Sequence, residues 1–290
     1  MNQTAIDAPH AHCLSESLPF VQAMHGQTVV IGLPGEILSD EGMREYLTQD
    51  IALLSLLGVR PVVVHGMPDP QADPAASYSG MAALNTDIVR RLNRDGVRAV
   101  GLEGQDAHWA TATRSGVEPQ GLTQADMTLI NLLQANQMVP VLMSCAPDAD
   151  GDLRILRPER FAAQLALRLN AHSLMLVSGH DILHKAGLKK GIADRRVLSE
   201  WLAKHADQEA AREIRAAMDA VDRGVPTAHL VDASERGALM TELMTNEGTG
   251  TVLCRRSGTQ VLADTARYFI EADSVIRPNF VAERKLVVRF

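Results

Sequence analysis

The chain reads as an α/β protein in which helices cover both faces of a mainly parallel sheet. Three observations predict this. Strand-like and helix-like segments alternate along most of the sequence, the order that builds a parallel sheet with crossover helices. The strand-like runs are apolar throughout, "QTVVIGL" and "HSLMLVSG" being examples, as strands covered on both faces must be. With 290 residues, 46% of them hydrophobic, the chain is long enough to bury a substantial core.

Residues 1–16 read as a flexible end, and "SESLPFVQAMHG" as a short amphipathic helix with Ser15 or Ser17 as its cap. "QTVVIGL" is the first strand. "EGMREYLTQDIALLSLLG" has helical apolar spacing and stops at Gly58. "RPVVVHG" is a buried strand, "MPDPQADPAASYSG" a proline-rich loop, "ALNTDIVRRLNRDG" a helix and "VRAVGLEG" a strand. Then come "TQADMTLINLLQANQ" as helix, "MVPVLMSCA" as strand, "APDADGDLR" as an acidic turn or hairpin, "RPERFAAQLALRLNA" as helix and "HSLMLVSG" as strand. A basic connector, "HKAGLKKGIADRR", leads to "RRVLSEWLAKHADQEAAREIRAAMDAVDRG", which is one long helix or two. "PTAHLVDA" is strand, "GALMTELMTNEG" helix and "TGTVLCRR" strand. No linker interrupts 17–256. Residues 257–290 differ in texture and read as an appendage.

Composition excludes several function classes. A net charge of −7 argues against nucleic acid as the main partner, because phosphate contacts need a basic surface. No apolar run is long enough to span a bilayer, and the N-terminus lacks a basic-then-apolar signal pattern. Three scattered cysteines, Cys13, Cys145 and Cys254, fit a reduced cytoplasmic compartment and no metal knot. His180 and His184 are spaced four apart but fall at a strand exit, so they read as loop histidines rather than a zinc site. His10, His12 and Cys13 lie in the flexible end, and Ser144 and Cys145 close a strand with no base positioned by the sequence.

Five segments in order carry a resemblance: "SLPFVQAMHGQTVVIGLPGEIL", "DIALLSLLGVRPVVVHG", "VRAVGLEGQDA", "VPVLMSCAPDADG" and "GVPTAHLVD…ELMTNEGTGTVL". Their layout over residues 17–253 resembles the amino-acid kinase family, most of all N-acetylglutamate kinase and the kinase-like half of bacterial N-acetylglutamate synthase. The resemblance implies an αβα sandwich around a mainly parallel, eight-stranded sheet. The stretch from Gln260 to Pro278 is similar to the start of the synthase's acetyltransferase domain, with no acetyl-CoA loop after it.

The same resemblance implies that the chemistry has been lost. The family's two phosphate-holding lysines fall at Gly32 and Glu213. The glycine-rich anion loop reads His65-Gly66-Met67-Pro68-Asp69-Pro70, where two prolines delete N–H donors. The substrate-gripping Arg has no counterpart near "YSGMAALNTD", "LRILRPER" lacks the substrate-side Asn, and Ser178 stands where an acid organises the lysines. Phosphoryl transfer depends on positioning and charge neutralisation, so five altered elements predict a protein that no longer phosphorylates acylglutamate. The remaining ligand-side positions are Gly35, His65, Gly66, Gly104 and Asp106.

Other positions match the site where arginine-inhibited members hold their effector: His229, Glu242, Thr245, Gly248 and Gly250. A carboxylate is a natural partner for a guanidinium. The bland readings are a strand-end histidine, a solvated helix glutamate and a glycine that ends a helix tightly. The leading expectation is therefore a non-phosphorylating protein that binds an amino acid or derivative, arginine first, as a sensor or regulatory partner. The alternative is an active ATP-dependent kinase or synthase-like transferase on a different amino-acid derivative with a rebuilt site, which would use Mg-ATP. Ser178, Gly179, Lys189, Lys190, Arg212 and Arg215 would then form its nucleotide side. A third reading is a structural partner of a separate acetyltransferase. A homodimer or higher homo-oligomer is expected by analogy.

Overall fold

The structure, a computed structural model, describes residues 17–67, 74–114, 116, 120–178, 191–206, 208–234, 236–245 and 248–254. Both predicted ends, the histidine pair 180 and 184, Gly179, Lys189 and Lys190 lie outside these residues.

An eight-stranded sheet forms the centre, in the order β10-β12-β11-β9-β1-β2-β6-β3. Its strands are β1 (Thr28–Leu33), β2 (Arg60–His65), β3 (Arg98–Leu102), β6 (Met138–Met143), β9 (Ser173–Ser178), β10 (Gly191–Ile192), β11 (Thr227–Asp232) and β12 (Thr251–Cys254). Pairing is parallel except where β12 meets β11 antiparallel, so the expected mainly parallel αβα architecture is present. Two short ladders flank it: β4 (Ala110–Ala112) with β5 (Leu122–Ala125), and β7 (Cys145–Pro147) with β8 (Leu153–Ile155).

The apolar strands are explained by two cores. Alternate residues of one strand point to opposite faces, and both faces are covered. Val30, Val62, Leu142, Leu174 and Leu176 pack in one cluster with Phe161 and Ile214. Val29, Ile31, Val63, Met175 and Val177 pack in the other with Ile51, Leu54, Ile88 and Leu239. The first face carries α5 (Thr128–Ala135), α6 (Pro158–Arg168), α7 (Arg195–Lys204) and α8 (Glu209–Arg223). The second carries α1 (17–24), α3 (Glu41–Leu56), α4 (Pro74–Arg94) and α9 (Ala238–Met244). The one-turn helix α2 (Gly35–Leu38) follows β1 directly.

Two elements differ from the sequence reading. The loop expected through Gly80 is helical from Pro74 onward, because a proline's fixed φ is preorganised for a first helical turn. The helix expected from Thr123 splits into β5 and α5, since Leu122–Ala125 pairs with β4 and Thr123 Oγ1 bonds the Thr111 carbonyl. The long segment 195–223 is two helices, as one of its two readings held, separated at His205, whose non-helical backbone (φ −130°, ψ 37°) ends α7. The acidic stretch after Cys145 is a hairpin, as one of its two readings held.

Candidate functional site

The chain leaves β1 for β2 on one side and later inserts β9 on the other. The carboxyl ends of β1, β2 and β9 therefore meet at the switch point, where open α/β sheets hold their ligands. The backbone there is built by close contacts. A Cβ on Gly32 would lie 2.9 Å from Leu176 Cδ2 and 3.1 Å from Ala162 Cβ. One on Gly66 would lie 2.8 Å from Pro158 Cγ. Neighbouring side chains thus occupy the space a β1 lysine stem would need.

Gly32 and Glu213 are far apart in sequence, yet they line one small cavity of about 10 Å3 with Pro34, Pro158, Glu159, Leu176 and Val177. That is room for about one water. Its charged lining among the described residues is Glu159 and Glu213, with no lysine or arginine. Glu213 is only 7% exposed. Burial pushes the Glu159 carboxyl above the ordinary carboxylate range, partly opposed by Arg157 and Arg212 nearby. Both of those arginines are exposed. Arg215 is also exposed and donates to the Ala206 carbonyl at 3.1 Å, bracing the α7–α8 connection. Gly35 opens α2 and is buried.

His65 ends β2 fully buried. Asn85 Nδ2 lies 3.0 Å from His65 Nε2 and 2.9 Å from the Val141 carbonyl. An amide nitrogen only donates, so Nε2 accepts and the ring is neutral; burial lowers its pKa to about 4. Asn85 on α4 therefore ties the His65 imidazole of β2 to the Val141 carbonyl of β6. Gly104 packs against β7, where a Cβ would meet Ala146 Cβ at 2.4 Å. Asp106 Oδ2 accepts the Glu103 amide at 2.8 Å, closing a turn whose next residues, Ala107 and His108, have φ of 50° and 53°. Ser178 is buried at the end of β9, and its hydroxyl has no hydrogen-bond partner among the described residues.

The second constellation is a closed network. His229 Nδ1 lies 2.7 Å from Glu242 Oε1, and Glu242 Oε2 accepts the Thr249 and Gly250 amides at 2.7 and 2.8 Å. His229 Nε2 contacts Thr227 Oγ1, which contacts Ser173 Oγ. His229 and Glu242 are 8% and 7% exposed, so neither is a solvated surface residue. The His229 hydrogen bond and the two amides hold the Glu242 carboxyl below its ordinary range against the opposing effect of burial. Thr245 Oγ1 donates to the Thr241 carbonyl at 2.7 Å. Gly248 has φ of 59°, and a Cβ there would lie 2.9 Å from Glu242 Oε2.

Sequence reasoning missed three residues that position these sites: Asn85, Glu159 and Asp50. Asp50 is 8% exposed on α3, and its Oδ2 accepts the Leu239 amide at 3.0 Å, holding the start of α9. Its signal was present: Asp50 sits directly before Ile51 on the apolar stripe of its helix. Among the described residues no helix is long and apolar enough to cross a membrane.

The comparisons agree with this geometry. The amino acid kinase family matches residues 27–232. The acetylglutamate kinase of Nitrosospira multiformis is 30% identical over 282 residues, covering 84% of this chain and 96% of that protein. Among solved structures, the N-acetylglutamate synthase of Neisseria gonorrhoeae in complex with coenzyme A and N-acetyl-glutamate has a TM-score of 0.72 at 22% identity. That match covers 93% of this chain and 72% of that one. The same synthase with coenzyme A and L-arginine gives a TM-score of 0.67 at 21% identity, covering 89% of this chain and 70% of that one. At those identities the structures show a shared fold. The chain belongs to the amino acid kinase family, with its likeness inside that family to acetylglutamate kinase.

Proposed function

We propose that this protein is a non-phosphorylating, acetylglutamate-kinase-like member of its family that binds an amino acid or related metabolite. Arginine is the first candidate, and the role is that of a sensor or regulatory partner in amino-acid metabolism. One observation carries the reading: the cavity shared by Gly32 and Glu213 is lined by two carboxylates and no cation among the described residues. A migrating phosphoryl group needs positive charge around its oxygens, and carboxylates repel it. Loss of one comparable donor costs roughly 100- to 1,000-fold in rate.

The arginine assignment is supported by the buried His229–Glu242 pair and by the synthase solved with L-arginine on the same fold. A carboxylate offers about four acceptor positions. Protein donors use three on Glu242, leaving capacity on Oε1 for a guanidinium.

Thermal midpoints with arginine, glutamate, N-acetylglutamate and Mg-ATP test this, because only ligands that prefer the folded state raise the midpoint. Arginine is expected to raise it and Mg-ATP to leave it unchanged. ADP release from Mg-ATP at about 1 s⁻¹ or faster, an ordinary enzymatic pace, would refute the proposal in favour of a rebuilt active site. Silence with every ligand would refute the sensor role in favour of a structural subunit.

A further inference from the structure

A second cavity opens at the other end of the sheet. It is a groove of about 860 Å3 over the amino ends of β2, β3 and β6, walled by the turns that end α3 and α5. Its size is that of a small-molecule site. β2 runs from Arg60 in this groove to His65 at the carboxyl edge, so about 17 Å of strand separates the two ends. Neither His229 nor Glu242 lines it. Its charged or titratable lining among the described residues is His25, Arg60 and Arg98, all exposed, with no acid, on a chain whose net charge is −7. The neighbouring acid in sequence, Asp95, is held by Arg94 at 2.9 Å. Register brings the arginines together. Arg98 is paired with Met138 across β3 and β6. The β2–β6 pairing of Val63 with Val141, followed back along both strands, sets Arg60 on the other side of Met138. Two strand spacings then put the arginine Cα atoms about 10 Å apart, near enough for both guanidiniums to reach one ligand. Helices end at this edge, and their free carbonyls would repel an anion, but those carbonyls are engaged. Gly58 O accepts the Gly26 amide at 2.7 Å, Arg60 O accepts Gln134 Nε2 at 3.2 Å, and Asn136 O accepts an N–H of Arg98. Donors are left over. The Arg60 guanidinium has no hydrogen bond or ion pair among the described residues, and Arg98 spends one N–H on Asn136. Beside them Leu56 is 63% exposed and Met138 half-buried.

We propose that this groove is a second ligand site, which binds an organic anion with an apolar body. A carboxylate or phosphate head sits on Arg60 and Arg98, and the hydrocarbon lies against Leu56 and Met138. The inference goes beyond the non-phosphorylating reading and does not depend on it, because no residue of the carboxyl edge takes part. Guanidiniums grip carboxylate and phosphate alike through paired N–H groups, so the head-group chemistry is shared. An inorganic anion would leave Leu56 in water, and an uncharged hydrocarbon would leave the Arg60 donors without an acceptor. A ligand carrying both parts satisfies both halves of the groove.

Isothermal titration calorimetry on the full chain tests this, with octanoate and octyl phosphate as probes at matched ionic strength. Octylammonium, octanol and acetate are the controls. Saturable binding of octanoate or octyl phosphate is expected, the tighter of the two naming the head group. Octylammonium should not bind, and octanol and acetate should bind roughly 10-fold or more weakly, each lacking one half of the ligand. Charge-assisted hydrogen bonds make Arg60→Gln and Arg98→Gln each weaken the affinity by roughly 10-fold or more. Both side chains are exposed, so these variants keep the fold. Arg196→Gln, on the 86% exposed side chain of α7, should bind like the parent. Leu56→Ser should weaken octanoate and leave acetate unchanged. The proposal falls if neither probe binds, if octylammonium or octanol binds as tightly, or if Arg60→Gln and Arg98→Gln bind like the parent.

Discussion

Replacing Asp50 with Asn isolates one buried charge whose cost follows from the geometry. Asp50 is 8% exposed and accepts the Leu239 amide at 3.0 Å. Burial outweighs the amide bonds and the nearby Arg236 and raises its pKa from 3.8 to about 6. In the unfolded chain the group ionises near 3.8, and in the folded protein near 6. Between those values the folded state holds a proton that the unfolded state has released. Asp50 therefore favours the fold fully below pH 4, and this contribution is lost as pH rises through 6. At about 1.4 kcal/mol per pKa unit, the shift corresponds to about 3 kcal/mol. Asn keeps a neutral oxygen for the amide and cannot ionise. The Asp50→Asn protein should thus be more stable than the parent at pH 7.5 by up to about 3 kcal/mol, a gain that vanishes near pH 4. For a chain of this size that is on the order of 5–10 °C in midpoint. Urea unfolding of both proteins at pH 4.0, 5.0, 6.0 and 7.5 measures the difference curve. The difference, rather than the parent profile alone, is needed because His65 titrates oppositely over the same range. A difference that stays constant across these pH values would refute the reasoning.

His65 supplies the mirror image. Its pKa falls from 6.5 to about 4 on burial, so its contribution is present above 6.5 and lost as pH drops toward 4; His65→Gln should remove that acid-side loss in the same urea series. Glu242→Ala strands His229 and the Thr249 and Gly250 amides. It should cost about 3–5 kcal/mol and abolish any arginine-dependent rise in midpoint; a full arginine response in this variant would remove Glu242 from the site. Gly250→Ala places a Cβ 2.2 Å from the Leu230 carbonyl oxygen, a backbone atom that cannot swing aside. A loss of about 3 kcal/mol or more is expected, read as a lowered melting point or insoluble expression. Gly32→Lys should cost about 1–3 kcal/mol by crowding Leu176 and Ala162 and should still release no ADP in a coupled assay.

Much of the architecture was legible because apolar pattern and layer structure are one physical fact. A strand such as Val29-Val30-Ile31 has no polar face to offer water, so helices must cover both sides. Gly58, Gly96 and Gly224 ended their helices where expected, each with a positive φ of 90°, 88° and 131°. Boundaries set by neighbours were harder to read. Nothing local in Leu122–Ala125 specifies a strand; its partner Ala110–Ala112 does.

The sequence by itself determined the covered sheet, the family and the absence of lysine at positions 32 and 213, because these depend on residue identity and order. Only the tertiary structure decided that Gly32, Glu159 and Glu213 line one cavity, that His65 is a neutral tie between strand and helix, and that Glu242 is engaged by His229 and two amides. Those outcomes depend on which distant groups meet and how far water is excluded from them. A buried charge takes its meaning from such neighbours.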